Sequence, residues 1–227
     1  MTQDEAKRLV ARRATEFVKD GMVVGLGTGT TATIFIRELA ACGRKIRCVA
    51  SSDASHELAK SLGMGVATLA ELPELDVYID GADEIARVSG DGLALIKGGG
   101  GALLREKIVA SAAKEFIVVV DSTKVVEVLG KFPLPVEVIK MALPVVQPRL
   151  AALGLNPKLR AAKSGDGPYI TDEGNTILDC ACGRIEDPRK TAAAIRAVVG
   201  VVEHGLFLGM ATLALVAGED GVTEMRP

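Results

Sequence analysis

Apolar positions recur at helical spacing, then at strand spacing, and the two patterns alternate through the first half of the chain. Ala6, Leu9, Val10, Ala14 and Phe17 repeat at helical spacing behind a Thr2/Glu5 capping box, and Gly21 closes that helix. Residues 22–26 form a short apolar run into a Gly/Thr turn, and 33–39 read as the next helix. Strands are predicted at 46–50, 76–79 and 116–120, with helices at 57–62 and 103–113. Parallel strands need a crossover that returns over one face of the sheet. The alternation therefore implies a parallel sheet covered by helices on both faces.

Near Gly130 the pattern changes. Residues 131–135 carry two prolines, which suit neither a helix interior nor a central strand, and they read as a linker. A strand follows at 136–139, a helix at 144–153, and strands around Leu159 and Tyr169. Residues 168–172 and 176–179 flank Glu173-Gly174-Asn175, a hairpin signal. Asp187-Pro188 caps a helix running to Val199, and final strands are expected at 201–208 and 213–216. The predicted architecture is α/β. A Rossmann-like open parallel sheet spans 1–130, and a smaller α+β domain of ferredoxin-like, split βαβ type spans 131–205. Residues 206–227 are expected to return to the first sheet.

Composition narrows the function. The 227 residues carry a net charge of −2, 3% aromatics and no Trp, which leaves no electrostatic or stacking case for nucleic acid. No apolar run approaches the ~20 residues that span a bilayer, and no basic-then-apolar leader opens the chain, so neither a membrane partner nor a signal peptide is expected. Cys42, Cys48, Cys180 and Cys182 form no CxxC pair, and His56 and His204 are not at zinc-finger spacing from them. Reduced thiols in a cytoplasmic protein are expected, against a redox or metal role for Cys180-Ala181-Cys182.

Candidate chemistry gathers where strands end. Asp80-Gly81-Ala82-Asp83-Glu84 follows an apolar strand, and open α/β sheets place ligands at that edge. A solvated acidic turn or a divalent-metal site are the competing readings. Gly25-Leu26-Gly27-Thr28-Gly29-Thr30-Thr31 sits between strand and helix, where free N–H groups and Thr hydroxyls suit an anion. Thr30 replaces the sixth-position glycine of the dinucleotide fingerprint, so a small phosphate ester, a dinucleotide and a structural turn all stay open. Lys97 precedes four glycines, a costly run unless backbone must pass close to something. Lys124 ends another strand, and Lys7 lies on the first helix, where simple exposure competes with phosphate binding. Glu106 falls about 150° from the apolar face of Leu104, Ile108 and Ala112, so helical phase predicts a solvated side chain.

Residues 25–32, 51–55, 80–84, 96–108 and 120–124 together resemble type A ribose-5-phosphate isomerase, and 131–138 and 205–207 are similar as well. The resemblance covers nearly the whole chain. It implies a substrate-binding loop at Thr28, Gly29, Thr30 and Thr31, active-site acids at Asp80 and Asp83, a lysine at Lys97, and the proton-transferring glutamate at Glu106. Lys124 matches the phosphate-side lysine, with Lys7, Gly81, Ala82, Gly98, Gly99 and Gly100 also placed on the substrate. Gly101 stands where the family often has Ala, and Leu104 where a polar residue is common. The implied reaction interconverts ribose 5-phosphate and ribulose 5-phosphate through an enediol(ate), with no metal and no cofactor, in a homo-oligomer (dimer or tetramer). A non-catalytic sugar-phosphate sensor and a nicotinamide-dependent oxidoreductase are the alternatives.

Overall fold

The computed structural model describes residues 1–88, 90 and 92–227. The chain begins α1 (Gln3–Thr15), β1 (Val23–Leu26), α2 (Thr30–Ala41), β2 (Arg47–Ala50), α3 (Asp53–Ser61), β3 (Gly65–Val66) and β4 (Leu75–Asp80). It continues with β5 (Glu84–Val88), β6 (Gly92–Ile96), α4 (Leu103–Ser111), β7 (Ala113–Asp121), β8 (Leu134–Val138), α5 (Leu143–Ala152), β9 (Pro157–Leu159) and β10 (Thr176–Cys180). The last elements are α6 (Pro188–Arg196), β11 (Val201–His204), β12 (Leu206–Leu208), β13 (Leu213–Gly218) and β14 (Gly221–Met225).

Seven strands form one sheet in the order β14-β13-β7-β4-β1-β2-β3, parallel except for β14. Its inner strands are apolar along almost their whole length because both faces are covered. On one face Val10, Phe35 and Leu39 from α1 and α2 pack against Val24, Leu26 and Ile79. On the other, Tyr78 and Phe116 pack with Val109 of α4 and Phe207 of β12. The carboxyl ends of β1, β4 and β7 therefore open side by side beneath α4.

Residues 134–204 carry the order β-α-β-β-α-β. Their four antiparallel strands lie as β11-β8-β10-β9, the split βαβ arrangement expected from the sequence. β13 pairs in parallel with β7, so the chain finishes in the large sheet.

Several expectations need correction. Residues 134 and 135 are not linker: they open β8, a central strand, where Pro135 keeps a carbonyl that accepts from Gly205 N at 2.8 Å. A proline at the start of a strand gives up one ladder donor and no more. The β5–β6 hairpin was not anticipated, and with β12 it makes a third sheet. Residues 201–208 are two strands, not one. They break at Gly205, where an added Cβ would lie 2.2 Å from the Lys97 carbonyl oxygen. Tyr169 lies in no strand and is flanked by isolated bridges, α3 starts at Asp53 behind a Ser52 cap, and α6 stops at Arg196.

Candidate active site

β4 delivers Asp80 to the carboxyl edge of the sheet, and there it disappears from solvent completely. Its Oδ1 accepts from the backbone N–H of Thr28 at 3.0 Å and of Gly81 at 2.7 Å. Its Oδ2 accepts from the Tyr78 hydroxyl and from Lys97 Nζ, the latter at 2.7 Å. The close approach requires glycine at 27, because a Cβ there would sit 2.1 Å from Asp80 Oδ1. Four donors saturate the carboxylate. Asp80 thus orients Lys97 and the Thr28 turn, and has no face free for a hydroxyl of a ligand.

Lys97 follows β6, and its ammonium also donates to the Gly81 carbonyl at 2.7 Å. On its other side Glu106 Oε2 lies 3.4 Å away. Both side chains are about as buried as a core leucine, at 2% exposure. Burial pushes the Glu106 carboxyl up to about 8, against the pull of Lys97, with Asp80 and Asp83 adding to the rise. Burial alone would favour the neutral Lys97 amine, but the Asp80 and Glu106 carboxylates hold its pKa above the ordinary lysine value. Among the described residues Glu106 Oε2 accepts no hydrogen bond, although it is buried. A buried carboxylate oxygen with no donor of its own is available to a ligand's proton.

The solvated position that helical phase predicts for Glu106 is therefore wrong. The buried side of α4 carries Leu103, Glu106, Lys107, Val109 and Ala110, while Ile108 is 45% exposed. Apolar periodicity selected the wrong face because two of the inward positions are charged.

Glu106 and Lys97 form the floor of a cavity of about 210 Å³. Thr28, Gly29, Thr30 and Thr31 line one wall, where α2 begins with no acidic residue in its first turn. The Thr28 hydroxyl is turned away toward Ser51 and Ser52, 2.9 Å from each Oγ. Lys7 of α1 and Lys124, in the 3₁₀ turn after β7, also reach the cavity, so both sequence candidates converge with the loop. Gly81, Ala82 and Asp83 line the cavity as well, with Gly98, Gly99 and Gly100. Asp83 accepts from Gly99 N at 2.8 Å, and burial raises its pKa. Of the catalytic candidates only Asp80 stands behind the wall.

The third acid of the cluster belongs elsewhere. Glu84 points away and accepts from Gly130 N at 2.7 Å and Phe132 N at 2.5 Å. Asp53, at the start of α3, pairs with Arg105 at 2.6 Å. All four cysteines are free thiols, and burial pushes Cys182 up to about 11. Among the described residues no three His, Cys, Asp or Glu side chains gather as a metal-binding group.

Two charged clusters had no local signal. Lys107 is buried against Glu203 at 2.8 Å and donates to the His204 carbonyl, and burial lowers its pKa to about 8. Its ammonium lies 4.7 Å from the Phe207 ring centre, and Lys97 Nζ is 5.6 Å from the same ring. Arg160, forked onto Asp179, reaches the glycine loop from the small sheet. Their partners lie up to 97 residues away, beyond any spacing rule.

The model of the family described as ribose 5-phosphate isomerase A (phosphoriboisomerase A) matches residues 47–221. The ribose-5-phosphate isomerase A of Roseiflexus castenholzii is 52% identical over 226 residues, covering 97% of this chain and 94% of that one. The structure of ribose 5-phosphate isomerase A from Methanocaldococcus jannaschii superposes with a TM-score of 0.93 at 40% identity, over 100% of both chains. A D-ribose-5-phosphate isomerase solved in complex with phospho-erythronic acid gives 0.95 at 37% identity, also over 100% of both chains.

Proposed function

The chain belongs to the ribose 5-phosphate isomerase A family and interconverts ribose 5-phosphate and ribulose 5-phosphate, and we propose that Glu106 is the base that moves the proton. A single observation carries this assignment: a buried carboxylate with an unclaimed oxygen, raised to about 8, on the floor of the cavity. A general base works best with a pKa near the working pH, and burial supplies that here. Once ionised, Glu106 takes the proton from C2 of the aldose and returns it to C1. One carboxylate serves both steps because the two carbons are neighbours on the same face of the enediolate.

Negative charge develops on the substrate's O1 and, once the proton of the O2 hydroxyl has passed to O1, on O2. Lys97, locked between Asp80 and the Gly81 carbonyl, is the cation that faces it, and a fixed donor of this kind is worth ~2.7–4 kcal/mol. Asp80 acts through Lys97. Asp83 lies on the cavity with a raised pKa, which suits it to hold a ring hydroxyl and pass a proton during ring opening. The free N–H groups at the start of α2, with Lys7 and Lys124, form the phosphate grip. Binding a remote phosphate offsets the cost of orienting the open-chain sugar. That a similar protein holds phospho-erythronic acid supports a phosphorylated sugar acid or sugar as the class that fits.

Four free thiols support a cytoplasmic location. The exposed side chains of Ile139, Met141 and Val199, brought together where Ile139 N meets Gly200 O, support assembly as a homo-oligomer, a dimer or a tetramer. The purified protein should form ketose from ribose 5-phosphate equally well with and without EDTA. Activity that vanished on chelation and returned with Mg²⁺ or Mn²⁺ would overturn the mechanism.

A further inference from the structure

Arg160 belongs to the small-sheet region, yet its guanidinium ends on the glycine loop of the active site. Asp179 of β10 holds it by a two-pronged fork, Nη2 to Oδ1 at 2.5 Å and Nε to Oδ2 at 2.9 Å. The third nitrogen, Nη1, donates to the carbonyl oxygens of Gly98 at 2.9 Å and Gly99 at 3.3 Å. The ring of Tyr169 lies 5.8 Å from the guanidinium carbon, and its hydroxyl donates to the Gly100 carbonyl at 3.3 Å. Three successive carbonyls of the loop are therefore drawn toward the small sheet.

Peptide planarity gives this a chemical consequence. In a trans peptide the C=O and the following N–H point in opposite directions. Gly98 illustrates it: its carbonyl goes to Arg160, and the N–H of Gly99 goes the other way, to Asp83 on the cavity wall. The next peptide repeats the geometry, with the Gly99 carbonyl on Arg160 and the Gly100 N–H turned to the cavity that Gly100 lines. Among the described residues nothing accepts from that N–H.

We propose that Arg160, fixed by Asp179, is a positioning residue that aims the Gly100 N–H at the oxygen on which negative charge develops. This rests on the assignment of Lys97 and Glu106 to the reacting end of the sugar. Lys97 supplies the charge there, and the aimed amide adds a second donor that needs no reorganisation during the reaction. The small sheet thereby takes part in the chemistry without touching substrate.

The test compares Arg160→Met, Arg160→Lys and Asp179→Asn in the full-length protein. Arg160→Met should lower kcat at least tenfold per folded molecule, while KM for ribose 5-phosphate changes less than threefold. Arg160→Lys and Asp179→Asn, which retain a cation but lose the fork, should fall between it and the parent. A phosphorylated aldonic acid, whose carboxylate carries the charge an enediolate develops, should bind at least tenfold more weakly to Arg160→Met, and inorganic phosphate equally well. If Arg160→Met does not fold, the same kcat and binding criteria apply to the two milder variants. A lowered Tm with kcat within twofold of the parent would make Arg160 merely structural and overturn the proposal. Retained turnover in Glu106→Gln would instead remove the base assignment, a separate failure with a separate variant.

Discussion

Replacing Glu106 by Gln keeps the shape of the buried side chain and removes its basicity. The floor of the cavity then holds Lys97 with no base beside it, and kcat should fall by ~10²–10⁴, the usual worth of a positioned general base. KM should change little, because the lost interaction is made in the transition state. The structure also fixes the pH dependence. With the Glu106 pKa pushed up to about 8 by burial, only about a tenth of the free enzyme carries the ionised base at pH 7. In the parent, kcat/KM should climb close to tenfold per pH unit toward about pH 8 and level off above it, and the variant should lose this limb. Stability moves the opposite way. A carboxyl whose folded pKa is raised contributes stability that is intact below its unfolded value of 4.5 and is lost as pH rises through about 8. The parent should therefore lose on the order of a few kcal/mol across that window and Glu106→Gln should not, so the inactive variant melts higher at pH 8. Coupled detection of ribulose 5-phosphate between pH 6 and 9, exchange of the substrate's C2 proton with deuterated solvent, and thermal melts at pH 5 and 8 measure all three. Near-normal turnover and exchange in Glu106→Gln, with Asp83→Asn inactive, would move the base to the acid cluster and refute the reasoning.

Lys124→Ala should raise KM for ribose 5-phosphate about 10- to 150-fold at little cost in kcat, since a charge-assisted contact to a remote anion is worth ~1.5–3 kcal/mol. Free ribose should be a very poor substrate, and comparable turnover of ribose would mean the loop at 28–31 grips no phosphate. Lys97→Met should abolish most turnover and also destabilise the fold by ~3–5 kcal/mol, because Asp80 is left buried without its cation. Adding Asp80→Asn should restore stability in urea denaturation and not activity. Gly101→Ala, a change toward the residue common in the family, should destabilise this particular chain. Gly101 has φ +89°, and a Cβ there would meet the Tyr169 hydroxyl at 2.2 Å. A Tm no lower than the parent's would show that Tyr169 moves aside freely.

Much of the fold was legible because the signals are local. Alternating strand and helix periods marked the parallel sheet, the Thr2/Glu5 box marked the start of α1, and Asp187-Pro188 marked α6. The site loops were legible because strand-end glycines and acids have few structural uses. The failures share a cause, which is partners far away in sequence. Glu106 and Lys107 look like solvent residues until Lys97 and Glu203 are seen beneath α4. Pro135 looks like a linker until Gly205 supplies its donor, and the β5–β6 hairpin is anchored by β12 more than a hundred residues later. Arg160 carried no motif at all. Its role exists only where the small sheet meets the glycine loop.

The junction at Gly205 sets the order in which an active molecule can come into being. Its N–H binds the Pro135 carbonyl and its carbonyl accepts from the Lys97 N–H at 2.9 Å, so one residue ties the small sheet to the backbone of the catalytic lysine. On a ribosome, residues 1–130 would already include every side chain assigned to touch the substrate. Yet the strand that braces Lys97 is made only after residue 205 emerges, and β13, followed by β14, must still add to the free edge of β7. Turnover should therefore appear late and all at once during synthesis. A half-made chain that bound a sugar phosphate would hold it without turning it over.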